Sequence, residues 1–593
     1  GTGDRGVDDA ATAADSGADP PTVALIFPPN GAYTGSVHAA DATVDTHPLR
    51  PRFMWLPVGD GLEYQVQIED SCPTGSPSAC TFPSPEVDER TLGDPAPSGS
   101  ALVFRPSLPL PVSLTPPVGS RFVWRVRACL ADSCGPWADA RYLNVGRHHD
   151  DFNGDGYSDL VVGAYGQGRM IGSDNEGHVF VYHGSGTGLL AMPNVTLRNP
   201  GRQAGGHFGL AVTAAGDVNG DGFADLIVGA PSQGDDGHGH AFLYYGSGAG
   251  LGELPDLMLP NPIPQPNAAF GESVAGVGDI NGDGYDDVAV GAPNQSNPQP
   301  NEGTAFLFYG SPGGTSTAPL VLDNPFNQNH SAFGTTVAAA GDVNGDGFVD
   351  LLVGARKLSN PENEEGGLFV FFGSQAGISD AAVNIDNPMN QPFGNFGAAA
   401  SGAGDLNGDG YEDVVVGALT QGLNEEGRAF VYYGASTGVG STPNVRLDNP
   451  DRQARGFFGA AVARVGDLDG DGLSDLVVGA YGQGTGSGAF SGAAFVYYGD
   501  SGGVPSLPDA SIANPVEQLE GFFGYALAGA GDVDGDGIAD LAVGAYGQGT
   551  GAQVAMGSVY VFLGARDGVP RVPTYSLDNP TGESVAFFGA SVD

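Results

Sequence analysis

An acidic nonapeptide of the form D-x-[DN]-G-D-G-x-x-D occurs seven times in this chain, starting at Asp151, Asp217, Asp279, Asp342, Asp405, Asp467 and Asp532. Successive starts lie 62 to 66 residues apart, and a short apolar run follows each. A motif returning at such a period denotes a repeat architecture, in which one supersecondary unit stacks on copies of itself. Each unit carries four strand signals. A Phe-Gly segment comes first, as at Phe208-Gly209-Leu210-Ala211-Val212, then the acidic loop, then an apolar run such as Leu226-Ile227-Val228-Gly229-Ala230. An aromatic strand follows, Ala241-Phe242-Leu243-Tyr244-Tyr245, and a fourth segment ends in Asn-Pro, as at Asn261-Pro262 and Asn449-Pro450. Four strands per unit describe one blade of a β-propeller. Gly (99) and Pro (44) fill nearly a quarter of the 593 residues, and because the glycines recur at fixed places they read as turn chemistry, not disorder.

Both ends of the repeat region are half-units. Phe-Gly pairs stand at Phe208, Phe270, Phe333, Phe396, Phe458, Phe523 and Phe588. The loop at Asp151 has no such segment before it, and Phe588-Gly589-Ala590-Ser591-Val592 has no acidic loop after it. Joining the halves yields seven blades and removes the sheet edges an open array would expose. The expected fold is all-β: a seven-bladed β-propeller over residues 147–593, closed by the C-terminal strand 587–593. These residues resemble the FG-GAP repeats of the integrin α-subunit propeller and its bacterial relatives, across all seven units. One departure is that Gly-Ala-Pro itself occurs only at Gly229-Ala230-Pro231 and Gly291-Ala292-Pro293, while the other units carry Tyr, Arg or Leu in the third place. Proline has no N–H to donate, so this position at a strand end tolerates variation.

The acidic loop offers the ligands of a hard cation. Ca²⁺ takes about six to eight oxygens, and a tight loop supplies them from side chains at positions 1, 3, 5 and 9 and a backbone carbonyl at 7. The candidate ligands are Asp151, Asn153, Asp155, Tyr157 and Asp159 in the first loop, and Asp217, Asn219, Asp221, Phe223 and Asp225 in the second. In the third they are Asp279, Asn281, Asp283, Tyr285 and Asp287, and in the fourth Asp342, Asn344, Asp346, Phe348 and Asp350. The fifth has Asp405, Asn407, Asp409, Tyr411 and Asp413, the sixth Asp467, Asp469, Asp471, Leu473 and Asp475, and the seventh Asp532, Asp534, Asp536, Ile538 and Asp540. Aspartate at position 3 gives the last two loops a fourth carboxylate and, at equal rigidity, the tightest binding. An EF-hand begins similarly but needs Glu at position 12 and flanking helices; here position 12 is apolar, as at Val162 and Val228. Mg²⁺ prefers fewer protein ligands and more water, and metal-free turns would leave seven carboxylate clusters repelling one another. The expectation is about seven structural Ca²⁺ ions.

The chain before the repeats differs in composition. Residues 1–21 are Gly-, Ala- and Asp-rich with little to bury, an expected flexible tail. Residues 22–146 carry alternating runs at 23–27, 52–55, 64–68, 122–128 and 141–145 between Pro-rich loops, the pattern of a small β-sandwich. The segments Arg52-Phe53-Met54-Trp55, Tyr64-Gln65-Val66-Gln67-Ile68, Phe122-Val123-Trp124-Arg125-Val126-Arg127-Ala128 and Gly135-Pro136-Trp137 resemble a fibronectin type III domain, which implies Trp55 and Trp124 as core residues. The four cysteines, Cys72, Cys80, Cys129 and Cys134, all fall here. Of three possible pairings the local one, Cys72–Cys80 and Cys129–Cys134, is preferred; a zinc site is the alternative, poorly served by these spacings. Disulfides place a protein in an oxidising compartment. The start at Gly1 fits a mature secreted or surface protein whose targeting segment has been removed.

A net charge of -47 with a single lysine, Lys357, excludes a basic nucleic-acid surface. No apolar run reaches the length of a membrane-spanning helix. No nucleophile–base arrangement stands out, so the chain reads as non-enzymatic. His148-His149, His238 and His240 could bind a transition metal but read better as solvated loops. Recurrent Asn-Glu-Gly or Glu-Gly turns at Glu176, Glu302, Glu365 and Glu426 point to a turn role, and aromatic strands such as Val431-Tyr432-Tyr433 to packing between blades. The leading reading is a calcium-stabilised extracellular or cell-surface scaffold whose resemblance to integrin α implies adhesion, with a protein or glycan partner. Two alternatives stay open: a carbohydrate-binding or carbohydrate-active propeller, and a self-assembling component that exchanges its terminal strand with a neighbour.

Overall fold

A computed structural model describes residues 20–593, apart from 36, 38–47, 60, 73–76, 96–100, 132, 169–174, 380, 485–488 and 550–554. Most of the expected tail, residues 1–19, lies outside the described residues. The small N-terminal β domain has two sheets. One runs Leu25–Phe27, Phe53–Trp55, Leu102–Phe104, Asp94–Pro95; the other runs Ala32–Tyr33, Arg141–Val145, Ser120–Leu130, Glu63–Glu69, Val87–Thr91, with Ser133–Cys134 on the end of the long strand. Phe53, Trp55, Tyr64, Phe122 and Trp124 fill the space between them as one fully buried cluster. Disulfides join Cys72 to Cys80 and Cys129 to Cys134, the latter across a β-pair. The strands Val87–Thr91 and Leu102–Phe104 lack a strong alternating signal, and sequence reading passed over them.

Seven four-stranded antiparallel sheets follow, one per repeat, as the blades of the propeller. In the second blade the order is Val212–Gly216, Asp225–Ala230, His240–Tyr244, Leu257–Pro260. In the first it is Val195–Arg198, His178–Tyr182, Leu160–Ala164 and then Ser591–Val592, so the last residues of the chain supply the inner strand beside its earliest blade. The Phe-Gly segment is itself strand in Phe333–Gly341, Phe396–Gly404 and Phe523–Gly531. In the other blades the strand starts beyond it: Phe208 sits in a turn, while Phe270, Phe458 and Phe588 each make a single parallel bridge, to Gly239, Gly427 and Gly557.

The repeat motif is explained by how closely the blades approach. The glycine of each Gly-Ala pair faces the carbonyl of the next blade's Phe-Gly glycine: a Cβ on Gly163, Gly229, Gly291, Gly354, Gly417, Gly479 or Gly544 would stand 2.0–2.1 Å from that oxygen. Only hydrogen fits there. The phenylalanine of the pair is buried, at 0% exposure in all seven cases, against the aromatic strand. A buried asparagine from each Asn-Pro segment then donates to a glutamine of the following blade: Asn199 to Gln233, Asn261 to Gln295, Asn387 to Gln421, Asn449 to Gln483, Asn514 to Gln548, and, across the closure, Asn579 to Gln167. In the third blade Asn324 instead donates to Ser331.

Candidate metal centres

Each acidic loop leads into the second strand of its blade, six of them from the inner strand and the first from the N-terminal domain, so all seven loops lie on one face of the ring. Their hydrogen bonding is nearly identical. The position-1 aspartate turns Oδ2 to the N–H of the glycine at position 6, at 2.7–3.0 Å in all seven loops. The position-3 side chain (Asn153, Asn219, Asn281, Asn344, Asn407, Asp469 or Asp534) accepts the N–H of position 5. The position-5 carboxylate accepts the N–H of position 7, which fixes Tyr157, Phe223, Tyr285, Phe348, Tyr411, Leu473 and Ile538 in place. The glycines at positions 4 and 6 carry positive φ throughout, for example 77° at Gly220 and 94° at Gly222. This curls the side chains inward.

Position 9 does more than the motif announces. In every loop its Oδ2 accepts the N–H of position 2, and its Oδ1 accepts the N–H of a glycine ending the third strand, such as Gly246 for Asp225 or Gly373 for Asp350. One buried carboxylate thus ties the loop to the strand beside it. Adjacent loops are also linked to each other. The N–H of position 8 donates to the position-1 carbonyl of the preceding loop, as Ala224 to Asp151, Asp286 to Asp217, Glu412 to Asp342, Ser474 to Asp405 and Ala539 to Asp467. Ser158 to Asp532 carries the same link across the ring closure. Sequence reading missed these bonds because they are made by backbone groups and by residues outside the motif.

The donor set fits a hard cation. In the sixth and seventh loops the ligand atoms of Asp467, Asp469 and Asp475, and of Asp532, Asp534 and Asp540, lie within 4.8 Å of one another. In the second loop Asp217 Oδ1 is buried with no hydrogen-bond partner. Burial pushes the carboxyls of Asp225 and Asp350 up to about 9, those of Asp151 and Asp475 to about 8, and that of Asp532 to about 7, with neighbouring carboxylates adding to the rise. Carboxylates crowded and desolvated in this way favour a cation that neutralises them. The acidic clusters are consistent with the Ca²⁺ sites typical of FG-GAP repeats.

The other sequence candidates do not assemble a site. His148 shares a hydrogen bond with Ser158, and the His238 and His240 rings lie 5.1 Å apart. Among the described residues the three-residue metal clusters contain no histidine. Glu302 and Glu365 each accept two backbone N–H groups of their own turn, a turn-forming role. Tyr182, Tyr244, Tyr432 and Tyr497 are buried between blades.

At the opposite end of the strands three consecutive blades differ from the rest. There the residue after Gly-Ala and the residue before Phe-Gly are both aromatic, and they stack: Tyr481 on Phe457, Tyr546 on Phe522 and Tyr165 on Phe587, with centroids 5.0–5.1 Å apart. Tyr525 bridges Tyr481 and Tyr546 at 5.4 and 4.5 Å, and Tyr546 meets Phe587 at 5.8 Å. The result is one arc of aromatic rings across the sixth, seventh and first blades, on the face away from the acidic loops.

Comparison with known proteins bears on the repeats. A model described as FG-GAP repeat matches residues 270–308, 333–366 and 523–562, and one described as FG-GAP-like repeat matches 151–228 and 396–478. Integrin alpha-5 of Xenopus laevis is 34% identical over 227 residues, covering 37% of this chain and 20% of that protein. Integrin alpha pat-2 of Caenorhabditis elegans is 30% identical over 307 residues, covering 47% of this chain and 23% of that protein. The chain therefore spans about a fifth of the length of these relatives. Among solved structures, the exotype rhamnogalacturonan lyase YesX aligns over 95% of this chain and 87% of its own at a TM-score of 0.31 and 9% identity, a likeness too low to bear on activity. Seven acidic loops, seven blades and these matches make the chain an FG-GAP-repeat propeller protein, integrin α-like over its repeats.

Proposed function

We propose that this protein is a non-enzymatic, calcium-stabilised binding scaffold of the cell surface or extracellular space. The aromatic face carries the reading. The arc around Tyr525 is accessible, with Tyr525 itself 42% exposed, and exposed aromatic rings are the residues that anchor recognition surfaces. The Ca²⁺ role rests on the seven ligand sets at positions 1, 3, 5 and 9, with the position-7 carbonyl, and implies about seven ions. The two disulfides support an oxidising compartment. Among the described residues no helix is long and apolar enough to cross a membrane. The N-terminal domain, read as fibronectin type III-like, serves as a further module of the scaffold.

The same rings suit stacking on sugar faces, which keeps a carbohydrate partner as the second reading. One experiment addresses both. The full chain is labelled and applied to intact cells and to a glycan array, with Ca²⁺ and with chelator, beside Tyr525→Ser and Tyr546→Ser variants. Calcium-dependent binding that both substitutions reduce at least tenfold, without change in melting temperature, is the expected result; glycan signal identifies a carbohydrate partner and its absence a protein one. Binding indifferent to both substitutions sinks the aromatic-face reading.

A further inference from the structure

The N-terminal domain sits on the acidic-loop face and reaches into the loops with its own side chains. Arg52 Nη2 donates to Asp405 Oδ2 at 2.7 Å, and Arg141 Nη1 lies 3.6 Å from Asp342 Oδ2 while its Nη2 donates to the Gly345 carbonyl at 2.8 Å. Tyr142 donates to Asp279 Oδ2 at 2.5 Å, and Arg121, stacked on the Tyr142 ring, donates to the Gly284 carbonyl. Arg121 and Arg147 both act on the charge of Asp217, and Arg147 packs over Gly222. Backbone groups close the contact: Asn30 N–H donates to the Gly347 carbonyl and Val118 N–H to the Gly154 carbonyl.

Two features make this more than a packing contact. In the loops at Asp279, Asp342 and Asp405 the group from the N-terminal domain lands on the position-1 Oδ2, the oxygen that also takes the glycine N–H. That leaves Oδ1 turned toward the loop interior, so docking and a bound cation use opposite sides of one carboxylate. Outer partners of this kind orient a ligand for its metal. The second feature is charge. The covered loops starting at Asp342 and Asp405 have Asn at position 3, three carboxylates and one facing guanidinium each. One guanidinium and one divalent cation neutralise three carboxylates; a guanidinium alone leaves two negative charges per loop buried against the domain, where uncompensated charge is costly. Arg52, Arg141 and Asp342 are all nearly buried, at 13%, 7% and 2% side-chain exposure. The side-chain carboxylates of Asp467 and Asp532, in the loops with a fourth carboxylate, accept hydrogen bonds, among the described residues, only from their own loops.

We infer that the N-terminal domain is a cation-dependent cap: divalent ions in the covered loops complete the charge balance that holds it on the propeller, and its docking in turn retains those ions. Linkage makes the coupling reciprocal. It follows that five of the seven loops are covered by the chain's own domain, which leaves the opposite face as the larger open surface for a partner. The inference rests on the loops binding divalent cations, and its test separates the two claims.

The amides of Asn30 and Val118 cross the interface, so their hydrogen exchange, read by mass spectrometry on the full chain, reports docking. In Ca²⁺ both are protected; in chelator their exchange rises at least tenfold, ahead of the blade strand Asp413–Ala418. Asp346→Asn with Asp409→Asn removes a position-5 carboxylate from two covered loops while keeping the Arg52–Asp405 and Arg141–Gly345 hydrogen bonds, and loosens Asn30 even in saturating Ca²⁺. Because these carboxylates also attract Arg141 and Arg52 directly, the variant is compared with the parent in chelator, where it exchanges no faster if the loss runs through the cation. Asp471→Asn, the same change in an uncovered loop, does not. Arg52→Gln with Arg141→Gln loosens Asn30 in Ca²⁺ as well. Unchanged Asn30 protection in chelator, or an equal response to Asp471→Asn, overturns the cap. Calorimetry that finds no bound Ca²⁺ at all removes the metal reading itself, whereas bound Ca²⁺ with an indifferent cap removes only the coupling.

Discussion

At the scale of single residues, the acidic loop combines two tasks that substitutions can separate. Position 5 is exposed or half-buried and is proposed as a cation ligand; position 9 is buried and accepts two backbone N–H groups of the protein itself. Asp350→Ala leaves the Val343 and Gly373 N–H groups without acceptors, each worth about 1–3 kcal/mol. It therefore lowers stability to urea by about 2–6 kcal/mol in chelator as well as in Ca²⁺. Asp346→Ala costs little in chelator and shows its effect only in Ca²⁺. Equal losses for both variants in chelator would refute this division. A second residue sets an acid limit. His178 is buried in the first blade near Arg198, with Nδ1 unpaired, and burial lowers its pKa to about 4, with Glu583 opposing weakly. Its folded pKa lies below the unfolded value of about 6.5, so the unfolded chain binds the proton more readily. The contribution is intact above pH 6.5 and is lost as pH falls from 6.5 toward 4, by about 3 kcal/mol at the end of that window. A His178→Gln variant loses less stability than the parent between pH 7 and 4.5; parallel curves would show that His178 is not the group responsible.

Elements were legible in proportion to how local their cause is. The acidic loop, the Phe-Gly segment and the aromatic strand repeat in register, so the blade and its four strands could be read from the chain. The links between blades could not, since each half of the Gly–Gly contact or the Asn–Gln bond looks like an ordinary turn residue until the neighbouring blade is beside it. The candidate ligand positions are set by the motif, yet the tie that position 9 makes to the third strand depends on Gly246-type residues more than twenty positions away. Nor does any local pattern tell that Arg52, Arg141 and Tyr142 reach the loops, because their partners lie 137 to 353 residues distant or more than 200 away in the case of Arg141. The Gly–Gly contact gives a direct test of how blades are held. In Gly417→Ala a methyl would stand 2.0 Å from the Gly459 carbonyl, a backbone atom that cannot turn aside. The blades must part, at a cost of about 1–3 kcal/mol or more. Gly440→Ala, whose Cβ meets its first neighbour at 3.8 Å, serves as the comparison and leaves the melting temperature within about 1 °C of the parent. Two equal melts would mean that the fifth and sixth blades are not in contact as described.

For the molecule as a whole, stability depends on joining the last residues to the first blade. Residues 585–593 bury Phe588, Ala590 and Val592, together about 4–5 kcal/mol of apolar burial. They pair Val592 with Val162 and Ser591 with Gly163, while Asp593 exchanges both backbone hydrogen bonds with Val161 and its carboxylate accepts the Ala214 N–H of the second blade. Only two residues are formally strand, but they fill the place that a complete inner strand fills in every other blade, and they cover the edge of Leu160–Ala164. Removing residues 585–593 bares that edge, whose side chains are fully buried in the intact ring. Two effects separate ring closure from a loose end. The truncated chain melts about 5–10 °C lower, as a loss of several kcal/mol requires in a large domain, and it associates with rising concentration, because an unpaired apolar strand edge templates pairing with another chain. Light scattering reads the association, and a synthetic peptide of residues 585–593, added in excess, reverses both changes by refilling the gap. An unchanged melt after truncation removes the closure; association that the peptide leaves untouched removes the edge of the first blade as its cause.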